Sequence, residues 1–192
     1  MDHSTIWRWI DRYAPELDRR LRRYLKPTGF QWRVDETYIR VAGEWVYLYR
    51  AIDAQGATVE FFLSRTRDVH AATLFIRKAM SDARRVAPLE INVDGNPTYP
   101  IAVREMQRAG RIHQTCRWRC SKWANNLIEQ DHRAIKRRAD AKQHFRSFGG
   151  ATHTVAGYEA IHMLRKGQVD ECKRGESVKQ ANFVHQMLTL AA

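Results

Sequence analysis

Apolar and polar residues alternate along residues 32–41, and this period of two predicts a β-strand. Two further runs rich in aromatic and β-branched residues follow at 45–53 and 58–66. Each run is joined to the one before it by a short turn that contains glycine, as between neighbouring antiparallel strands. The pattern therefore predicts an antiparallel meander of three strands.

Beyond the third strand, the pattern changes to helices that alternate with short strands. It predicts a helix at 68–86, a strand at 89–95, a helix at 99–110 that ends at Gly110, a strand at 111–116, and helices at 124–142 and 151–166. The residues of the first helix that are expected to face inward are Ala72, Phe75, Ile76 and Ala79. This order predicts an α/β fold in which helices flank a mixed five-stranded sheet.

The first 25 residues have the spacing of a helix. Apolar residues that include Ile6 and Trp9 share one face of it, and Pro15 is expected to break the helix into two parts. A turn over 26–29 then precedes the first strand. The N-terminal segment is therefore predicted to be helical and separate from the sheet.

The composition is that of a folded chain. It has 192 residues, of which 44% are hydrophobic and six are tryptophan, enough for one domain with a core. No segment is apolar over the length needed to cross a membrane, and the polar N-terminus does not resemble a signal peptide. The three cysteines, without a secretion signal, are expected to be free thiols. These features predict a cytoplasmic protein of bacterial type with no membrane partner.

Positive charge is concentrated in the second half of the chain. The net charge is +12, and residues 101–192, with 17 Lys/Arg and 8 Asp/Glu, contribute +9 of it. Between Arg111 and Arg146 there are ten basic and three acidic residues. Such a surface binds polyanions by releasing their counterions, although a merely well-solvated surface has the same composition. The distribution favours a nucleic-acid partner.

Three acidic residues stand in separate parts of the sequence. Asp35 lies in the first strand, Asp94 ends the fourth, and Glu129 lies on the basic helix. If the first strand is central and the fourth lies beside it, Asp35 and Asp94 are neighbours, and the helix brings Glu129 to the same edge. Carboxylates suit hard cations, and two such ions about 4 Å apart promote phosphoryl transfer. Glu36 is expected to point away from Asp35 and not to be a ligand.

The helix of Glu129 also has a basic face. Glu129, Arg133 and Lys136 are spaced i, i+4 and i+7 and therefore share one stripe. This stripe fits a site that binds metal and DNA phosphates, but it also fits an exposed helix whose surface charges pair. His132 belongs to an adjacent apolar stripe that is expected to pack inward, and Asp131 is expected to be a surface charge.

Several segments resemble the transposases of bacterial insertion sequences with an Asp, Asp, Glu (DDE) catalytic core, and in particular the sixth family of these elements. They are W-R-V-D-E-T-Y-I (32–39), E-W-V-Y-L-Y-R-A-I-D (44–53), V-D-G-N-P-T-Y-P (93–100), N-N-L-I-E-Q-D-H-R-A-I-K-R-R (125–138) and R-K-G-Q (165–168). The 34 residues between Asp94 and Glu129 match the spacing of that family, as does the basic Lys136 seven positions after Glu129. The resemblance covers nearly the whole chain.

The resemblance implies an RNase H-like fold of the retroviral-integrase type over residues 29–168. Asp35, Asp94 and Glu129 would be catalytic residues and ligands of Mg²⁺ or Mn²⁺, as two ions, and Lys136 would contact the DNA end. The implied reaction cleaves transposon ends to release 3′-hydroxyls and transfers those hydroxyls into target DNA. The implied partners are double-stranded DNA, which would place the protein at the nucleoid, and at least one further copy of the chain.

The predicted DNA contacts are Arg8, Arg133, Lys136, Arg137 and Arg138. Residues 2–9 resemble the recognition helix of a helix-turn-helix, a module that is usually longer in this family. Residues 1–28 are therefore interpreted as a partial remnant of it with a linker, and 169–192 as a C-terminal tail. We expect a truncated or mis-started copy on this basis. Two other functions share these features: a metal-dependent nuclease that does not join strands, and a non-catalytic DNA-binding protein.

Overall fold

The computed structural model describes residues 2–82, 86–140 and 145–189, which belong to two compact units. One unit comprises the chain from Pro27 to Asp140 and holds the sheet. The other combines the segment up to Lys26 with the segment after Asp140 and is helical. The predicted division at residues 28 and 168 does not coincide with these units and stays a prediction about domains.

Five strands form one mixed sheet in the first unit. They are β1 (Gln31–Val41), β2 (Glu44–Asp53), β3 (Thr58–Ser64), β4 (Glu90–Val93) and β5 (Arg117–Cys120), in the spatial order β3-β2-β1-β4-β5. The first three are antiparallel neighbours, whereas β4 runs parallel to β1 and β5 parallel to β4. The predicted meander, the central position of β1 and the place of β4 beside it are therefore confirmed.

Six α-helices complete the described structure. The sheet unit contains α2 (Val69–Ala79), α3 (Thr98–Arg108) and α4 (Lys122–Asp140), and the helical unit contains α1 (His3–Leu21), α5 (Phe148–Lys166) and α6 (Ser177–Thr189). A short 3₁₀ turn, Arg22–Tyr24, follows α1. None of the helices in the described ranges has an apolar stretch that reaches the length of a membrane span.

One face of the sheet is covered by α2 and α3. The core here includes Trp32 and Val34 of β1, together with Phe75 of α2 and Tyr99 of α3. The residues of α2 that the sequence places inward, Ala72, Phe75, Ile76 and Ala79, are all buried. The helix ends at Ala79, earlier than the predicted residue 86, and residues 83–85 of the prediction lie outside the described ranges.

The turn between β1 and β2 is tight and has an unusual backbone. Ala42 and Gly43 have φ angles of 52° and 86°, and the strands pair directly on either side of them. Two consecutive residues with positive φ form the hairpin turn whose twist matches that of the flanking strands. This turn fixes the register of β1 and β2, in which Tyr38 pairs with Tyr47 and Arg40 with Trp45.

The predicted position of the fifth strand is wrong. Residues 111–116 form turns, and β5 follows them at Arg117–Cys120, where all four residues are exposed. The apolar residues that suggested a strand at 111–116, Ile112 and Cys116, instead fill the core under α2 and α3. Strand β5 has only four residues, Arg-Trp-Arg-Cys, and all are exposed, so its alternation is too short to identify a strand from the sequence.

The predicted break at Pro15 is also wrong, because α1 continues through it. Ala14, Leu17 and Leu21 are buried on one side of the helix, before and after the proline. Packing of this side compensates for the hydrogen bond that a proline cannot donate. The residues Ile6 and Trp9 lie on the N-terminal part of α1 and are exposed.

In the helical unit, α1 and α5 meet at a glycine. A Cβ atom added to Gly157 would lie 2.7 Å from the Cβ of Ala14, closer than two such atoms can approach. Gly157→Ala is therefore expected to force the helices apart and to lower the free energy of unfolding by about 1–3 kcal/mol. Urea-induced unfolding followed by circular dichroism measures this change.

The matched control is Gly149→Ala, near the start of the same helix. Among the described residues, no atom outside its chain neighbours and the nearby backbone of its own helix lies within 4 Å of the added Cβ. Because alanine favours the helical backbone over glycine, this control should hold or slightly raise stability. Equal stability of the two variants would show that α1 and α5 do not depend on close contact at Gly157.

Candidate active site

Parallel pairing of β1 with β4 brings two acidic residues to the same edge of the sheet. The register pairs Arg33 with Asn92; Asp35 lies two residues further along β1, and Asp94 two residues further along the chain, just after the end of β4. Carboxylate oxygens of Asp35, Glu36 and Asp94 lie within 4.8 Å of one another. The expectation that Asp35 and Asp94 are neighbours is therefore confirmed by the geometry.

The backbone around these carboxylates holds their orientation. The Asp35 Oδ1 atom accepts a hydrogen bond of 2.9 Å from the backbone N–H of Glu36. The Asp94 Oδ1 atom accepts one of 3.0 Å from the backbone N–H of Asn96, in the turn that follows β4. Gly95 has a φ of 103°, which an L side chain rarely adopts, so this turn depends on glycine. Each carboxylate retains a second oxygen that is not used by these bonds.

The expectation that Glu36 points away from Asp35 and the site is wrong. Strand β4 ends at Val93, so beyond that point β1 has no strand partner on its β4 side, while β2 still pairs with it on the other. At this open edge, side chains from both faces of β1 reach the same space. Only 3% of the Glu36 side chain is exposed, and its oxygens lie beside those of Asp35 and Asp94.

Hydrogen bonds already satisfy the carboxylate of Glu36. It accepts from the Arg67 guanidinium, from the Tyr99 hydroxyl and, over 2.9 Å, from the Asn96 side-chain amide. Burial raises the pKa of Tyr99 well above its usual value, and the charge of Glu36 raises it further. Tyr99 therefore stays protonated and donates. Glu36 thus ties the start of α3 and the turn after Asp94 to β1.

Glu129, the third acidic residue that the sequence predicts, is exposed on α4 and is not part of this carboxylate cluster. The nearby His132 is buried, and its Nε2 atom lies 3.2 Å from Asp35 Oδ2. Across the described residues, neither ring nitrogen of His132 makes a hydrogen bond of good geometry. Since Glu129 precedes His132 by three positions, it lies on the same side of α4, one turn from the contact with Asp35.

The inward stripe of α4 is as predicted. Its members Ile128, His132, Ile135 and Ala139 are all buried. The contact of His132 with Asp35 was not foreseen, because an apolar stripe alone does not say which sheet residue it meets. The spacing of three positions between Glu129 and His132 is the signal in the sequence that links this stripe to the site.

An ion pair anchors α4 to the sheet beside the site. Arg50 lies on β2 directly opposite Asp35, and its guanidinium is fully buried. Its Nη2 atom lies 2.7 Å from the Oδ2 atom of Asp131, whose side chain is mostly buried. The prediction that Asp131 is a surface charge is therefore wrong. Its carboxylate compensates a buried cation, which requires Asp131 to face the sheet.

The predicted DNA contacts are distributed over both units. Arg133 and Arg137 are exposed on α4, and Arg138 donates to the carbonyl of Ala134 over 3.1 Å. Lys136 is half-buried, with its ammonium 4.4 Å from the ring centroid of Tyr38. Arg8 is exposed on α1 in the helical unit. Arg133, Lys136 and Arg137 thus lie toward one side of α4, the helix whose His132 contacts Asp35, whereas Arg138 lies about 140° around the helix from Arg133.

Comparison of the sequence with known proteins gives consistent matches. A family model described as a DDE domain matches residues 29–168. The chain is 40% identical over 164 residues to the transposase for the insertion sequence-like element IS431mec of Staphylococcus aureus strain Mu50, covering 85% of this chain and 70% of that one. The transposase for insertion sequence element IS257 in transposon Tn4003 of Staphylococcus aureus matches with the same identity and coverage.

The fold is similar to retroviral integrase cores. The catalytic core domain of HTLV-2 integrase in complex with magnesium matches in its trimeric form with a TM-score of 0.53 and 16% identity, over 83% of this chain and 97% of that one. Its dimeric form matches with a TM-score of 0.52 and 16% identity, over 75% and 90%. A chain of the simian T-cell lymphotropic virus intasome matches with a TM-score of 0.51 and 12% identity. This match covers 81% of the present chain and 58% of the intasome chain. The expected integrase-type, RNase H-like fold is confirmed.

Proposed function

Because the chain belongs to the DDE-domain family of insertion-sequence transposases, we propose that it cleaves DNA at insertion-sequence ends and transfers the resulting 3′-hydroxyls into target DNA. The enzyme class is that of a polynucleotidyl transferase. The observation that best supports the proposal is the proximity of Asp35 and Asp94 at the edge of the sheet, where a carboxylate oxygen of one lies within 4.8 Å of a carboxylate oxygen of the other. These two residues come from separate strands, and only the parallel pairing of β1 with β4 brings them together.

The carboxylates fit divalent metal ions. They supply oxygen ligands, they lie close together, and they are partly shielded from water, as hard cations require. We propose Asp35, Asp94 and Glu129 as the ligands of two Mg²⁺ or Mn²⁺ ions. When bound, such ions activate an attacking oxygen and stabilise the leaving oxygen of an in-line phosphoryl displacement.

The protein's own groups position these ligands. The backbone N–H of Glu36 orients Asp35, and the turn at Gly95 and Asn96 orients Asp94. Glu36 is already held by Arg67, Asn96 and Tyr99, which supports a role in positioning the turn after Asp94. Glu129 is proposed as third ligand because α4 touches Asp35 through His132, one turn further on.

The proposed DNA surface is the exposed side of α4. Arg133, Lys136, Arg137 and Arg138 would neutralise backbone phosphates next to the carboxylates, and this neutralisation would make binding strongly dependent on salt. Arg8 would add a contact from α1. Joining two DNA ends in one reaction requires two sites, so we propose that at least two copies of the chain act together. HTLV-2 integrase cores occur in dimeric and trimeric forms, which is consistent with this proposal.

A strand-transfer assay tests the proposed function. Precut duplexes from the sequences that flank the gene are incubated with a labelled plasmid and Mg²⁺ or Mn²⁺. We expect joined products that depend on the metal ion and disappear with a chelator. Hydrolysis without joining would instead identify a nuclease of the same fold, and DNA binding with neither reaction would identify a non-catalytic binding protein.

A further inference from the structure

Two aromatic side chains remain exposed at the turn end of the β1–β2 hairpin. Tyr38 on β1 and Trp45 on β2 are 51% and 53% exposed, and their ring centroids lie 4.9 Å apart with the rings nearly perpendicular. The strand register makes them diagonal neighbours across the hairpin. The two rings therefore form one continuous apolar surface in contact with solvent, which is available to a ligand.

Cations flank both rings. The Arg40 guanidinium carbon lies 5.2 Å from the Trp45 ring centroid, and the Lys136 ammonium lies 4.4 Å from that of Tyr38. Both distances are within the range of cation–π attraction. Arg40 also donates to the carbonyl of Gly43 over 3.2 Å, which restricts its guanidinium. Positive charge is thus held beside the aromatic surface on both sides.

This surface adjoins the active site through two different elements. Tyr38 follows Glu36 by two positions and therefore shares its face of β1, about 7 Å further along the strand, and the Glu36 carboxylate lies beside those of Asp35 and Asp94. Lys136 follows His132 by four positions on α4, and His132 contacts Asp35. A DNA strand that reaches the carboxylates would therefore pass near Tyr38 and Trp45.

Resting on the proposed function, we propose that Tyr38 and Trp45 bind an unpaired nucleotide of the DNA substrate beside the bond to be cleaved or joined. The base would stack on the aromatic surface, and Arg40 and Lys136 would contact the adjacent phosphates. The outside of a paired duplex presents phosphate and sugar, which Arg40 and Lys136 could bind without the aromatic rings. Exposed aromatic faces add affinity only for bases that have left the helical stack.

Binding of two DNA probes tests this inference. One is a blunt duplex, and the other is the same duplex with a single-stranded overhang that contains 2-aminopurine, whose fluorescence falls when it stacks. We expect the protein to bind the overhang duplex about tenfold to a hundredfold more tightly than the blunt one, with quenching of the 2-aminopurine. The variant with Tyr38→Leu and Trp45→Leu should bind both duplexes equally and leave the fluorescence unchanged.

Tyr38→Phe is the matched control, because it keeps the aromatic face and should keep the preference for the overhang. The inference is overturned if the double leucine variant still binds the overhang duplex more tightly than the blunt one. This includes the case in which it weakens the binding of both probes by the same factor. It is also overturned if the variant changes the oligomeric state, because the surface would then be covered by another copy. Absence of strand transfer by the wild-type protein would count against the proposed function, whereas a wild-type protein that transfers strands but binds both probes equally would count only against this inference.

Discussion

Replacing Asp94 with asparagine is expected to lower strand transfer about a thousandfold, which corresponds to about 4 kcal/mol of transition-state stabilisation. The amide keeps the size of the side chain and its acceptor for the Asn96 N–H, but it removes the charge that a divalent ion requires. DNA binding should persist or strengthen, since a negative charge near the phosphates is lost. Joined product is quantified on gels, and affinity is measured by fluorescence anisotropy.

The matched control is Glu105→Gln, which removes an exposed carboxylate from α3 and should leave strand transfer unchanged. Unchanged activity of the Asp94→Asn variant would overturn the assignment of the site.

Two further variants distinguish the proposed third ligand, Glu129, from the nearby Glu36. Glu129→Gln should abolish transfer at full stability, whereas Glu36→Gln should lower the melting temperature because it weakens the bonds to Arg67, Asn96 and Tyr99.

Removing the carboxylate of Asp131 is expected to have the largest effect on stability. Asp131→Ala should lower the free energy of unfolding by about 3–5 kcal/mol, because it removes a charged partner of a guanidinium that is fully buried. Replacing both residues, with Arg50→Met and Asp131→Leu, should recover most of the loss, since apolar side chains of similar size carry no charge to bury. Chemical denaturation followed by circular dichroism measures each variant.

An exposed ion pair in the same unit provides the comparison. Glu44 and Arg65 lie 3.8 Å apart with side chains that are 75% and 64% exposed. Glu44→Ala should lower the free energy of unfolding by less than about 1 kcal/mol, as is usual when an exposed ion pair is removed. Similar losses for Glu44→Ala and Asp131→Ala would mean that burial of Arg50 does not determine the cost.

The parts of the fold that the sequence predicts well are those in which burial imposes a period. Strands β1 to β3 and helix α2 have one buried side each, and the pattern of apolar residues locates them. The edge strand β5 has only four residues and no buried side, so its alternation is too short to locate it. Helix α1 continues through Pro15 because it packs against α5, which is far away in sequence. The local pattern of residues around Pro15 does not show this contact.

The candidate site was predictable to a similar extent. The proximity of Asp35 to Asp94 follows from strand order and parallel register, both of which can be inferred from the order of elements. The positions of Glu36 and Asp131 could not be inferred this way. Glu36 enters the site because β4 ends at Val93, and Asp131 turns inward because Arg50 needs a counter-charge. The position of Glu36 depends on where the neighbouring strand β4 ends, and that of Asp131 depends on where Arg50 lies. The pattern of apolar residues within one segment gives neither piece of information.

The helical unit is assembled from the two ends of the described chain, and this has a consequence for synthesis on the ribosome. Helix α1 emerges before the sheet unit, but its partner α5 begins at Phe148, more than a hundred residues later. At bacterial translation rates this delay is on the order of ten seconds. During that time the apolar side of α1, with Ala14, Leu17 and Leu21, has no native partner, while the whole sheet unit between them can fold. A nascent chain arrested before α5 is therefore expected to hold a folded sheet and an exposed helix that chaperones would bind.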